Sequence, residues 1–220
     1  MKNVLLVPLV FIGSAVAPIY GQTSPLPAAP ETTTAAAGNL TDAERNRAIG
    51  YLKETQKDFL AATEGLSETQ WRFKAAPDRW SIAETAEHIA TAENMIWHLV
   101  SEEMAKSPAT PEKKVAVKGK DEMILAKVPD RSRKAQAPES LKPTGKWATR
   151  AALVQDFEKT RGAEIEYART TNEDLRSHFD EHPAFGTMDA YQWLLFNGAH
   201  CKRHTAQILE VKADPKFPKS

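Results

Sequence analysis

TMDAYQWLLFNGAHCKRHTAQILEV, Thr187 to Val211, decides the fold. The run contains no proline, and its apolar residues do not alternate. Tyr191, Leu194, Leu195, Ile208 and Leu209 supply the apolar sides of one long helix starting near Thr187. Asp189 falls in the first turn, where the helix dipole favours an acid, and Pro215 lies just beyond the end. His200 and His204 are four residues apart in the middle of this helix. That spacing puts both imidazoles on one face, a turn apart, with Cβ atoms roughly 5–6 Å from each other.

Three further long helices read outward from it. The first opens at Thr41, where Thr41 and Glu44 form a capping-box pair; Ile49, Leu52, Gln56, Phe59, Leu60 and Thr63 follow at three-to-four spacing up to Gly65. The second opens at Ser81 with a like pair through Glu84, buries Ile82, Ile89, Ile96, Leu99 and Val100, and fades near Met104. The third runs from about Thr149 to Thr171, with Leu153, Phe157, Ile165, Ala168 and also Arg161 on its inner face. No alternating, β-branched strand pattern is visible. Between helices two and three, residues 106–146 hold 11 Lys+Arg against 5 Asp+Glu and five prolines, with a short helix expected over Lys120–Val128. The fold class is therefore all-α, a four-helix bundle with a long crossover between helices two and three. That crossover reads as a solvated basic connection, or as a lid or anion-attracting surface.

The N-terminus reads as an address. Lys2 precedes the apolar run Val4–Ala17, too short to span a bilayer comfortably, and small residues follow it. Pro18 disfavours a cut after Ala17, so residues 1–21 are expected to be a signal peptide and the protein to be exported, periplasmic or secreted. Residues 22–39, rich in Pro, Thr and Ala, are expected to be a disordered spacer, 40–213 the bundle, and 214–220 a tail. Lys+Arg and Asp+Glu both number 29, so no basic excess points to nucleic acid. The lone Cys201 excludes an internal disulfide and a cysteine-only zinc site.

The chemistry lies in the histidines. His200 and His204 can converge on one cation, and His88, one residue before the apolar Ile89, is the best candidate for a third ligand from helix two. His98 lies roughly 15 Å further along that helix, too far to share the ion; His178 and His182 read as loop histidines, the latter placed to fix the turn at Pro183. Glu84, a turn before His88, and Asn197, nearly a turn before His200, are candidates to orient a ligand or touch substrate, against a capping role and a polar boundary role. Arg161 is a candidate to hold an anionic substrate, against a snorkelling arginine. Cys201 points away from its neighbour His200 and reads as a small buried residue, and the tryptophans read as core or pocket walls.

WSIAETAEHI, Trp80 to Ile89, resembles the helix-two signature of the DinB superfamily of DinB/YfiT-like proteins, and HPAFGTMDAYQWLLFNGAHCKRHTAQI, His182 to Ile208, resembles its helix-four signature. Asp130 to Trp147 resembles the crossover of one subgroup, and the likeness spans about residues 41–212. The resemblance implies an up-down-down-up bundle and a divalent metal held by one histidine of helix two and two of helix four, here His88, His200 and His204. The family it resembles includes thiol-dependent S-transferases and isomerases, while many of its members have no assigned reaction.

Three protein ligands leave a coordination position open, as in catalytic rather than structural sites. The expected function is thus an exported metal-dependent hydrolase or transferase on an unidentified small molecule, with the metal as Lewis acid and activator of water or thiol. The alternative is a non-enzymatic metal- or ligand-binding bundle. Export argues mildly against thiol transfer, because the small thiols of the family's transferases are cytosolic. Imidazoles suit several divalent ions; zinc or nickel is expected. No nucleic acid partner is expected, nor a membrane once the signal is removed. A homodimer is compatible with the sequence.

Overall fold

The structure, a computed structural model, describes residues 39–132 and 136–219. The expected signal peptide, residues 1–21, and nearly all of the expected spacer lie outside the described residues. Four long helices carry the fold: α1 (Asp42–Thr63), α3 (Ile82–His98), α5 (Arg150–Thr170) and α6 (Ala190–Lys212). Shorter pieces join them: α2 (Glu68–Arg72), α4 (Lys120–Lys127), and a hairpin of β1 (Phe179–His182) and β2 (Gly186–Asp189).

Local chemistry sets the helix ends. Thr41, Ser81 and Asp189 each close a reciprocal box with Glu44, Glu84 and Gln192, and the Thr149 hydroxyl accepts the Ala152 N–H. Each such cap is worth about 1 kcal/mol. After His98 the second long helix widens into a π-helical segment, Leu99–Met104, closed by an Ala105 N–H to Val100 carbonyl bond of 3.2 Å.

Side-chain pairs give the direction of every helix. Along α1 and α6 the contacts advance together: Glu44 with Tyr191, Thr55 with Cys201, Ala62 with Lys212. Those two helices are parallel. The pairs Glu93–Arg161 and Trp97–Tyr167 likewise make α3 and α5 parallel. Arg45 reaches the Ala168 carbonyl while Phe59 meets Phe157 and Arg150 reaches Leu66, so α1 and α5 are antiparallel. The bundle is up-down-down-up, and the crossover is what permits two parallel helices to follow one another.

The core comes in two apolar clusters. One, with Ile96, Leu194 and Tyr191, fills the end near the start of α6; the other, with Phe59, Ile89, Phe157 and Ile208, fills the opposite end. Between them on the four helices lie Thr55, Glu93, Arg161 with Glu164, and Asn197, all buried. Arg161 is fully buried and forks onto Glu93, with Nε–Oε1 2.5 Å and Nη2–Oε2 2.6 Å, while Nη1 donates to the Leu52 carbonyl and Thr55 Oγ1.

Two sequence expectations are corrected. A strand pair exists where none was expected, and α6 begins at Ala190, with Asp189 as its cap rather than inside its first turn. The strands are four residues each, too short for alternation to show. Their pairing runs from Phe179↔Asp189 to His182↔Gly186, leaving a three-residue loop closed by Gly186 at φ +66°, the left-handed position such a loop requires.

Candidate metal centre

His88 comes from α3, and His200 and His204 from α6, two helices that pack side by side and antiparallel: the Ile82–Ile89 end of α3 shares a cluster with Cys201 and Ile208. Their Nε2 atoms meet. His88 Nε2 lies 3.2 Å from His200 Nε2 and 3.2 Å from His204 Nε2. For bonds of about 2.05 Å and a tetrahedral angle, two nitrogens on one zinc ion stand roughly 3.3 Å apart. The spacing therefore fits a shared cation.

Tautomers support the same reading. His88 Nδ1 lies 2.8 Å from the Leu141 carbonyl oxygen, which can only accept, so the ring proton sits on Nδ1 and Nε2 presents a lone pair. His204 Nδ1 lies 3.0 Å from Gln207 Oε1, again an acceptor. Lone pairs of His88 and His204 thus face each other at hydrogen-bond distance with no proton between them. That arrangement is repulsive alone and favourable around a positive charge. Burial lowers the pKa of all three imidazoles, with the mutual repulsion of their charged forms lowering His200 and His204 further; His200 falls well below the ordinary range and His204 to about 3. Neutral rings are what a metal needs.

His88 is buried, whereas His200 and His204 are partly exposed. Trp80 packs on His88 at 5.0 Å between centroids, and Phe196 stacks on His200 at 6.0 Å. Phe196 in turn meets His182 at 4.6 Å. His182 itself fixes the hairpin turn: its Nδ1 accepts the N–H groups of Ala184 and Phe185 at 3.0 and 3.2 Å. His98 is exposed beside Glu103, and His178 is buried against Ser107.

The remaining candidates sit elsewhere. Glu84 takes the Ser81 N–H at 2.7 Å and pairs with Lys74 at 2.8 Å. Asn197 donates to buried Glu164, and Arg161 is spent on Glu93, Leu52 and Thr55. Each of the three is tied into a cap or into the polar layer of the core, and none hydrogen-bonds an imidazole of the cluster among the described residues. A cleft of about 490 Å³ opens along α3, lined by Trp71, Lys74, Glu84, Glu87, Trp147 and Arg150 among others, and the three histidines are not in its lining. Sequence reading overlooked the Leu141 carbonyl and Gln207. Gln207 was findable, being three residues from His204 on one helix face; Leu141 depends on the path of the crossover.

Residues 51–208 match the DinB superfamily, well over half of the chain. The chain belongs to the DinB superfamily. As a DinB-superfamily member it is 25% identical over 164 residues to the uncharacterized protein YuaE of Bacillus subtilis (strain 168), covering 74% of this chain and 96% of YuaE. Among solved structures it is similar to YfiT from Bacillus subtilis, described as a probable metal-dependent hydrolase with an unusual four-helix bundle topology. That likeness has a TM-score of 0.49 and 15% identity, over 80% of this chain and 90% of YfiT.

Proposed function

We propose that this DinB-superfamily protein is an exported metal-dependent hydrolase or transferase acting on a small molecule, with His88, His200 and His204 holding a divalent ion, zinc or nickel. One observation carries the reading: three Nε2 atoms from two helices converge, His88 standing 3.2 Å from each of the others. A divalent ion bound there supplies Lewis acidity and lowers the cost of forming an oxygen or sulfur nucleophile at neutral pH. The chain's own part is to keep the rings neutral by burial, fix two of them through Leu141 and Gln207, and wall the site with Trp80 and Phe196. Three ligands leave coordination space for a substrate. The export half of the proposal rests on the basic start and short apolar run of residues 1–21. Balanced charge supports a small-molecule rather than a nucleic-acid partner.

A second reading is a bundle that binds metal without turnover. It is favoured by the 490 Å³ cleft being lined by residues other than the three histidines. Elemental analysis decides the first step: near-stoichiometric metal is expected in the native chain and is lost in His200→Ala or His204→Ala with helicity retained, and undiminished metal in both variants rejects the site. A panel of ester, amide and thiol substrates then separates the readings, since loaded protein inert on all three classes supports the binding module. The mass of the mature chain recovered from a bacterial host tests export.

A further inference from the structure

We propose that Glu87 and Arg131 are positioning residues of the metal centre, each acting through a segment it anchors rather than on the ion itself. The inference rests on the three-histidine reading above.

Glu87 adjoins His88 on α3 and is 8% exposed. Its carboxylate accepts the N–H groups of Thr144 at 2.7 Å, Gly145 at 2.9 and 3.0 Å and Lys146 at 3.1 Å, and the Thr144 hydroxyl at 3.2 Å. Three consecutive backbone donors, turned inward by Gly145 at φ +78°, make a nest for a carboxylate. Leu141, three residues before Thr144, offers its carbonyl to His88 Nδ1 at 2.8 Å. Two adjacent residues of α3 thus grip the same short stretch of crossover, and Pro143 between the grips limits its slack. The oxygen that sets the His88 tautomer is placed by the nest that holds Glu87.

Arg131 does the like for His204 from the other part of the crossover. Its Nε and Nη2 fork onto the Glu210 carboxylate at 2.6 and 2.7 Å, and its Nη1 donates to Gln207 Oε1 at 3.3 Å. The same oxygen takes the His204 Nδ1–H at 3.0 Å. With Arg131 present, the Gln207 carboxamide presents oxygen to both groups. Without it, the amide can turn and offer its NH2 to His204, which moves the ring proton to Nε2 and removes that nitrogen as a ligand. The crossover, read from sequence as a basic connection, therefore supplies the outer hydrogen bond of His88 and, through Arg131, holds the Gln207 oxygen that serves His204. Outer partners of metal-bound histidines are worth roughly 10- to 100-fold in metal affinity.

The test uses the full chain, with Zn²⁺ affinity and the visible spectrum of the Co²⁺-loaded protein as readouts. Glu87→Ala and Arg131→Ala are each expected to weaken Zn²⁺ by about 10-fold or more and to alter the Co²⁺ bands. Glu87→Gln, which keeps an acceptor oxygen on the same stem, is expected to recover part of the loss. Phe59→Leu, a core change between α1 and α5, controls for general destabilisation and is expected to leave both readouts unchanged. Wild-type affinity in both alanine variants, or a loss matched by Phe59→Leu, overturns the inference while the metal site stands. A wild-type chain that binds neither ion removes the metal reading and this inference with it. Should an alanine variant not fold, Glu87→Met and Arg131→Met, which keep the side-chain length and remove the hydrogen bonds, give the same comparison, and wild-type values in both overturn it.

Discussion

Glu164 is the carboxylate whose charge the buried polar layer opposes most strongly. It is fully buried; its Oε2 stands 3.2 Å from Arg161 Nε, a group already committed to Glu93 at 2.5 Å, and neither that oxygen nor the Oδ1 of Asn197 has a hydrogen-bond partner among the described residues. Glu93 already takes the guanidinium fork of Arg161. A proton on Glu164 removes the second negative charge and gives Oε2 something to donate. Burial, then repulsion from Glu93, pushes its pKa well above the usual carboxylate range. In the unfolded chain the group titrates near 4.3, so folding takes up a proton above that pH, and stability falls as pH rises towards the folded pKa. Glu164→Gln, a neutral isostere, is expected to stay within about 1 kcal/mol of wild type near pH 5 and to become the more stable of the two by pH 9. Urea unfolding across that range measures it, and parallel profiles would show Glu164 to be ionised in the core. Little of this layer was legible. Arg161 was placed on the inner face by its spacing, but its partner Glu93 lies 68 residues away. Which helix stands beside which decides that pairing, and no local pattern encodes it.

Helix boundaries were legible where four consecutive residues decide them. The boxes at Thr41 and Ser81 are written in the sequence and are formed in the structure. The start of α6 was misplaced because Thr187 and Met188 pair with Glu181 and Asp180 across the hairpin, a contact with a segment that carries no strand signature of its own. Helix interiors add a test of close approach. A methyl built on Gly198 of α6 would stand 2.8 Å from Tyr51 Cδ1 and 3.0 Å from Cε1, whereas one on Gly162 of α5 would meet nothing within 4 Å. Alanine gains about 1 kcal/mol over glycine in a helix interior, while overpacking costs roughly 1–3 kcal/mol. Gly162→Ala is therefore expected to raise the melting temperature, and Gly198→Ala to leave it unchanged or lower it by forcing the Tyr51 ring off α6. A stabilised Gly198→Ala would mean that α1 and α6 can part without loss.

At the scale of the molecule, four helices could be counted from the sequence, and their inner faces largely named. Their arrangement came only with the family resemblance, because an up-down-down-up order and an up-down-up-down order need the same apolar stripes and differ only in the path of the crossover. That path matters for stability, since it sets α3 beside α6 and makes the histidine cluster a cross-link between them. A ligand bound only by the folded state adds about 2.7 kcal/mol at a hundred times its dissociation constant. For a domain of this size each kcal/mol is worth roughly 2–4 °C, so saturating Zn²⁺ at pH 7 is expected to raise the melting temperature by roughly 5–11 °C. The gain should be absent in His88→Ala and His200→Ala. Acid works against it with a defined sign. The three imidazoles have pKa values lowered in the folded chain, His204 to about 3, so the unfolded chain binds more protons once the pH drops below the ordinary 6.5. Stability of the metal-free chain therefore declines as pH falls through that window. The same lowered values make protons poor competitors for the folded site, so half-release of Zn²⁺ is expected below pH 6. Thermal scans with and without Zn²⁺ from pH 7 to pH 4 measure both effects. A Zn²⁺ gain that vanishes already above pH 6.5 would show rings that protonate as freely as exposed histidines, contrary to their burial between α3 and α6.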